Sequence, residues 1–103
     1  MKVKVGKISE LTENNPKLVN IQNTQIFILK YGSSVYAMED ICSHDGESIS
    51  EGKIEDGCIV CPRHMARFNL STGEALCMPA TEPVAIFPVK IVGGEIEIEM
   101  EEY

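Results

Sequence analysis

The chain has 103 residues, of which 44% are hydrophobic and 24% are charged, and its formal net charge is −7 at pH 7. This composition is ordinary for a globular protein, and the length suits a single domain over residues 1–103. The negative charge argues against nucleic acid and anionic membrane surfaces as partners. No stretch approaches the ~18 apolar residues of a membrane span, and residues 1–8 do not resemble a signal peptide. We therefore expect a cytoplasmic protein, in which disulfides are uncommon.

The first forty residues have the alternating pattern that is typical of β-strands. Lys2-Val3-Lys4-Val5 predicts an edge strand with its lysines in solvent. The strands that follow are rich in β-branched and aromatic residues, and we predict them over residues 18–21, 25–29 and 35–38. Asn14-Asn15-Pro16, Asn23-Thr24 and residues 31–34 have the composition of turns between these strands. No segment has a convincing helical period.

The strand pattern returns after Pro83. Residues 85–92 and 95–100 predict a hairpin around Gly93-Gly94, with Ile96, Ile98 and Met100 on one face and glutamates on the other. Pro88 has no N–H to donate, so it predicts an edge position or a bulge in the first of these strands.

Residues 40–82 differ from the rest of the chain because they are rich in Gly, Cys, His and Pro. They contain only short predicted strands, at 58–60 and 66–69, with a turn at Ser71-Thr72-Gly73. The sequence therefore predicts an all-β fold, in which an antiparallel sandwich-like base carries an inserted, loop-built lobe.

Two motifs in this lobe each pair a thiol with an imidazole. They are Cys42-Ser43-His44 and Cys61-Pro62-Arg63-His64, and sixteen residues separate them. Two thiolates and two imidazoles suit a structural zinc ion or an iron–sulfur cluster of mixed ligation. Zinc fingers usually place one ligand pair on a hairpin and the other on a helix, whereas here each loop supplies one Cys and one His. That distribution favours a two-iron cluster and leaves zinc as the alternative.

The two motifs resemble the signature of the Rieske [2Fe–2S] family. The resemblance extends from the motifs through residues 48–52, Phe68 and Thr72-Gly73 to Pro79-Ala80, so it covers roughly residues 35–92. It implies the Rieske fold and a lobe that binds one [2Fe–2S] cluster. In this family the segment around Pro79 forms a third loop over the cluster.

The resemblance also implies the roles of the four ligands. Cys42 and Cys61 would bind one iron, and His44 and His64 would bind the other through Nδ1. Members of high potential carry an additional cysteine in each loop, and they direct a serine and a tyrosine hydroxyl at the cluster. The corresponding residues here are Glu47 and Arg63 for the cysteines, and Ala66 and Phe68 for the hydroxyls.

The reduction potential follows from these replacements. Hydrogen bonds to sulfur stabilise the more negative reduced cluster, so their absence lowers the potential. We predict a value toward the low end of the Rieske range, roughly −150 to 0 mV.

Three residues near the ligands allow more than one interpretation. Met65 stands where the family usually has Gly, and its side chain could crowd the loop, alter N–H bonds to the cluster or cover His64. Cys58 precedes Cys61 with a metal-like spacing. A cysteine on a strand is nevertheless more often a small buried apolar residue. A disulfide between Cys58 and Cys77 stays open.

The resemblance implies a function in electron transfer. The chain is similar to ferredoxins that link a flavin-dependent reductase to a terminal ring-hydroxylating oxygenase, and Asp45, Glu47 and Glu51 could steer such a basic partner. The sequence has no nucleophile–base pair, phosphate-binding loop or mononuclear iron triad, so we do not expect an enzyme. The alternatives are an electron-transfer subunit of a larger oxidoreductase and a zinc-stabilised binding module. Relatives of the nitrite reductase small subunit that have lost the ligands are disfavoured, because all four ligands are present.

Overall fold

The computed structural model describes residues 1–41, 47–62, 65–76 and 82–100. Within these residues the chain forms ten strands and one short 3₁₀ helix, Ile8–Glu10. The strands are β1 (Lys2–Lys7), β2 (Lys17–Ile21), β3 (Thr24–Tyr31), β4 (Ser34–Glu39), β5 (Lys53–Glu55), β6 (Cys58–Val60), β7 (Arg67–Asn69), β8 (Ile86–Phe87), β9 (Val89–Val92) and β10 (Glu95–Glu99). Among the described residues, no helix has the length and hydropathy needed to cross a bilayer.

The strands form three antiparallel sheets, which confirms the predicted all-β fold. Their strand orders are β1-β10-β9, β2-β3-β4-β8 and β5-β6-β7. β1 is an edge strand with exposed lysines, as its alternating sequence predicts. The predicted meander is also confirmed, since β2, β3 and β4 pair in sequence order.

The core consists of two apolar clusters, and β3 separates them. Successive side chains of a strand point to opposite faces, so Ile26 and Ile28 pack with Ile96 and Ile98 of β10 in the base. The residue between the two isoleucines, Phe27, faces the lobe together with Leu29, where they pack in the cluster that contains Ile59 and Phe68. Burial on both faces explains why this strand has a continuous apolar run instead of an alternating pattern.

The hairpin at the end of the chain is confirmed, with the turn at Gly93 and Gly94, both at positive φ. Ile96, Ile98 and Met100 are buried, as predicted.

The single strand predicted over residues 85–92 is wrong, because the chain is divided at Pro88. Ile86–Phe87 pairs with β4, whereas Val89–Val92 pairs with β10. The carbonyl of Pro88 accepts the N–H of Glu99 at 3.0 Å. A residue without an N–H therefore lies where the chain leaves one sheet for the other.

Two further details differ from the sequence prediction. The first hairpin turn lies at Gln22 and Asn23, with φ of 52° and 66°, and Thr24 already belongs to β3. Two positive φ values are the geometry that a two-residue hairpin turn requires. The short strand β5 was not predicted, because three residues are too few to show a period.

Candidate metal centre

The structure describes one of the four predicted ligands, Cys61. Cys42, His44 and His64 lie outside the described residues, as do Arg63, Asp45, Cys77 and the segment around Pro79. Among the described residues, no three metal-binding side chains come together. Three of the four predicted ligands are not among those residues. The described part of the site therefore consists of Cys61 and of the residues that flank the segments with the other predicted ligands.

Cys61 lies at the start of a tight turn between β6 and β7. Its N–H donates to the carbonyl of Ala66 at 2.7 Å, and its own carbonyl accepts the N–H of Met65 at 2.9 Å. Cys61, Ala66 and Phe68 are each fully buried in the lobe cluster. The thiol thus belongs to a buried apolar cluster that also contains Ala66 and Phe68, neither of which has a hydroxyl group. A buried, soft sulfur ligand of this kind suits iron or zinc.

Met65 has a left-handed backbone conformation, with φ of 60°. Glycine adopts this conformation without strain, whereas another residue costs about 1 kcal/mol. The family preference for Gly therefore has a geometric explanation in this chain. The Met65 side chain is 62% exposed, so it does not crowd the loop. Its N–H bonds to the Cys61 carbonyl, and its relation to His64 lies outside the described residues.

Cys58 is a buried residue of β6, as the apolar interpretation of that cysteine predicts. Its Sγ donates to the carbonyl of Asp56 at 3.7 Å. The pairing of Cys58 with Cys77 stays untested because Cys77 is outside the described residues.

The first ligand loop is closed at its base by a buried aspartate, Asp40. Its Oδ1 accepts the backbone N–H groups of Ile49 at 2.9 Å and Ser50 at 2.8 Å. Its Oδ2 accepts the side chains of Gln25 at 2.7 Å and Ser50 at 2.9 Å, and the Ser48 hydroxyl lies 2.8 Å from both oxygens. The carboxylate therefore joins the two ends of the segment that contains the first Cys-x-His motif.

The hydrogen bonds also determine the charge of Asp40. Burial raises its pKa, but the donors from Gln25, Ser48 and Ser50 outweigh burial and hold the pKa below its usual range. A buried carboxylate can stay ionised when several donors replace its hydration. Sequence reasoning missed this residue. The available signal was an acidic residue followed, eight and ten positions later, by Ser48 and Ser50, the hydroxyls of the Ser-Ile-Ser motif.

Gly52 lies just before β5 and packs closely against β6, the strand that leads into Cys61. Its N–H donates to the carbonyl of Ile49 at 2.9 Å. A Cβ atom at this position would overlap the carbonyl oxygen of Val60, the residue before Cys61. The close approach explains why Gly ends the motif over residues 48–52.

Gly73 closes a third loop, over residues 74–83. Its N–H donates to the backbone carbonyl of Asn69, and its own carbonyl accepts the N–H of Val84. Both distances are 2.8 Å. Its φ is 77°, and a Cβ atom would overlap the carbonyl oxygen of Val84. Three residues after Gly73, the N–H of Leu76 donates to the carbonyl of Arg67 at 2.8 Å. The third loop is thereby attached to the strand that follows the second ligand loop.

Three loops are therefore closed at their bases around one apolar cluster, and that cluster contains the Cys61 thiol. The arrangement can hold an inorganic centre between loops, with ligands from the first two and a cover from the third. The first loop is closed by the Asp40 carboxylate and the other two by backbone hydrogen bonds, so the described ends of the loops have a defined geometry.

Comparison with known proteins identifies the family of the chain. A family model for the Rieske [2Fe-2S] domain matches residues 1–88. The chain is 38% identical over 96 residues to the anthranilate 1,2-dioxygenase ferredoxin subunit of Burkholderia cepacia, covering 93% of this chain and 89% of that protein.

Two solved structures are also similar to the chain. One is the ferredoxin of carbazole 1,9a-dioxygenase from Nocardioides aromaticivorans IC177, with a TM-score of 0.91, 27% identity and coverage of 98% and 99% of the two chains. The other belongs to a complex of reduced oxygenase and oxidized ferredoxin in carbazole 1,9a-dioxygenase, with a TM-score of 0.87, 30% identity and coverage of 97% of each chain.

Proposed function

Since this chain belongs to the Rieske [2Fe–2S] domain family, we propose that Cys42, His44, Cys61 and His64 are the ligands of its cluster. The cofactor is a Rieske-type [2Fe–2S] cluster, and the protein is an electron carrier. In the proposed arrangement the two thiolates bind one iron and the two imidazoles bind the other. The observation that carries this assignment is the buried Cys61 thiol within the three-loop frame.

The cluster supplies one-electron chemistry when it is bound. Two imidazoles in place of two thiolates leave the oxidised centre less negative, so it is reduced more readily than a plant-type cluster near −400 mV. Within the Rieske range we propose a low potential, because Ala66 and Phe68, which stand at the positions of the two hydroxyl donors, are buried in the same cluster as Cys61 and neither offers a hydroxyl.

We propose that the chain carries electrons from a flavin-dependent reductase to a terminal oxygenase. Support comes from the similarity to a dioxygenase ferredoxin subunit and to a ferredoxin seen together with its oxygenase. In this proposal the protein works in the cytoplasm as one domain over residues 1–103, with a cluster-binding lobe over about residues 40–82, and it catalyses no reaction of its own.

Electron paramagnetic resonance tests the cofactor and its ligands. The purified protein should be red-brown. After reduction with dithionite it should give a rhombic signal with an average g below the free-electron value. His64→Ala should abolish the signal, whereas Cys58→Ser should keep it as the matched cysteine control. A colourless protein that is silent and contains zinc would instead support the zinc-stabilised module, and loss of the signal in Cys58→Ser would overturn the ligand assignment.

A further inference from the structure

The carboxylate at the base of the first ligand loop is buried without a cationic partner. Asp40 is 6% exposed, and its side chain accepts hydrogen bonds from Gln25, Ser48, Ile49 and Ser50. The donors are an amide, two hydroxyls and two backbone N–H groups, at distances of 2.7 to 2.9 Å. None of these groups is charged. Within the described part of the chain, no lysine, arginine or histidine forms an ion pair with this aspartate.

The hydrogen bonds fit a carboxylate that carries its negative charge. Oδ1 accepts the N–H groups of Ile49 and Ser50, and Oδ2 accepts the amide N–H of Gln25. Both oxygens are therefore acceptors, as in the ionised form, whereas a protonated carboxyl would present a donor at one of them. The charge is stabilised by dipoles and not by an opposite charge, so no cation cancels its field.

The place of Asp40 in the chain brings this charge close to the proposed cluster. Asp40 precedes the proposed ligand Cys42 by two residues, and two residues span at most ~7 Å. On the other side of the loop, Ile49 donates its N–H to Asp40 and packs in the same buried cluster as Cys61. Buried charges are screened much less than charges in water. The field of the carboxylate therefore reaches the site between the first two loops.

We propose that the charge of the Asp40 carboxylate lowers the reduction potential of the cluster, in addition to closing the first loop. In the reaction that defines the potential, one electron passes from the reductase or an electrode to the oxidised cluster, and no bond forms or breaks. The centre becomes more negative by one charge, and a fixed negative charge nearby opposes that change. The inference rests on the proposed function and adds a determinant of the potential to it.

Spectroelectrochemical titration of the holoprotein tests the inference, because it gives the ratio of reduced to oxidised cluster at each applied potential. Asp40→Asn removes the charge and keeps the shape of the side chain. For two unit charges on the order of 12 Å apart and an effective dielectric constant of ~20, the ratio at a fixed potential should rise about tenfold. For a one-electron couple, a tenfold change equals about 59 mV.

A second pair of variants changes the charge without removing the carboxylate. The Nε2 atom of Gln25 lies 2.7 Å from Oδ2 of Asp40, so Gln25→Lys would supply the missing cation. It should raise the reduced-to-oxidised ratio about threefold, because a partly exposed ammonium compensates only part of the charge. Gln25→Met is the matched control. It loses the same donor but adds no cation, so it should not raise the ratio.

Glu51→Gln controls for the change in net charge. It alters the charge of the lobe by the same one unit as Asp40→Asn, but Glu51 is exposed and solvent screens it. The ratio in this variant should stay within about twofold of the wild-type value. A rise equal to that of Asp40→Asn would show that overall charge, and not the buried carboxylate, determines the potential.

Wild-type ratios in both Asp40→Asn and Gln25→Lys would overturn the inference. A rise in Gln25→Met equal to that in Gln25→Lys would also overturn it, because a loosened loop would then account for the shift. Should Asp40→Asn fail to retain its cluster, the two Gln25 variants decide the question. Failure of the proposed function is a separate result, since in that case the wild-type protein itself would show no cluster signal.

Discussion

The Oδ1 atom of Asp40 accepts the backbone N–H of Ser50 at 2.8 Å. This bond joins the end of β4 to the far end of the first ligand loop, so the Cys42–His44 motif lies in a segment with a fixed base. Asp40 is not one of the four proposed ligands. Its hydrogen bonds nevertheless connect the two described ends of that loop.

Asp40→Asn should destabilise the protein by about 2 kcal/mol or more, because an amide cannot accept all the donors that converge on the carboxylate. The expected result is a lower midpoint in urea unfolding and a lower iron content after purification. Glu51→Gln is the control, since Glu51 is an exposed carboxylate of the same lobe and should change stability by less than about 0.5 kcal/mol. An unchanged midpoint in Asp40→Asn would show that the loop is held by other contacts.

Gly73→Ala should cost about 3 kcal/mol or more, since it combines a left-handed backbone with overlap of Cβ and the Val84 carbonyl. Gly57→Ala separates the two causes. Gly57 has the same φ of 77°, but a Cβ there would meet no atom within 4 Å. It should cost only about 1 kcal/mol. Equal losses of unfolding free energy in the two variants would contradict the role assigned to the close contact at Gly73.

Phe68→Tyr should raise the reduction potential, because a hydroxyl near the Cys61 sulfur would stabilise the reduced cluster. Protein-film voltammetry measures the shift directly. Phe87→Tyr makes the same chemical change on β8, where Phe87 packs against the base cluster, and it should leave the potential unchanged. The wild-type potential itself is predicted at roughly −150 to 0 mV, and a value above about +200 mV would contradict the low-potential assignment.

Met65→Gly should stabilise the protein by about 1 kcal/mol, because it relieves the left-handed strain and removes a side chain that is mostly in solvent. Urea unfolding of the holoprotein measures the change. Ala66→Gly is the comparison, since Ala66 is fully buried and has no positive φ, and it should lower stability. An unfolding free energy in Met65→Gly equal to or below that of the wild type would contradict the strain assigned to Met65.

Much of the fold could be predicted because its signals are local. Alternation in β1 and β10, the apolar run of β3 and the Gly93-Gly94 turn each depend on a few neighbouring residues. The family was also recognisable from short motifs, and the comparisons confirm it. The assignment of the four ligands stays a prediction, because the structure describes only Cys61 among them.

Other features depend on contacts between distant residues, so no local pattern reveals them. Pro88 indicated an irregularity, but only the pairing of β8 with β4 and β9 with β10 shows that the chain changes sheets there. The three residues of β5 form a strand because β6 lies beside them.

By itself, the sequence determined the all-β class through the alternation of its strands. It determined the family through a resemblance in short motifs, and that resemblance implies the iron–sulfur chemistry. Only the tertiary structure decided how the loops are held. Asp40 reaches Ser50 and Gly73 reaches Val84 through bonds whose geometry depends on the packed lobe. The conformation of Met65 was decided in the same way, because this residue lies with a positive φ inside the turn that the Cys61–Ala66 hydrogen bond closes.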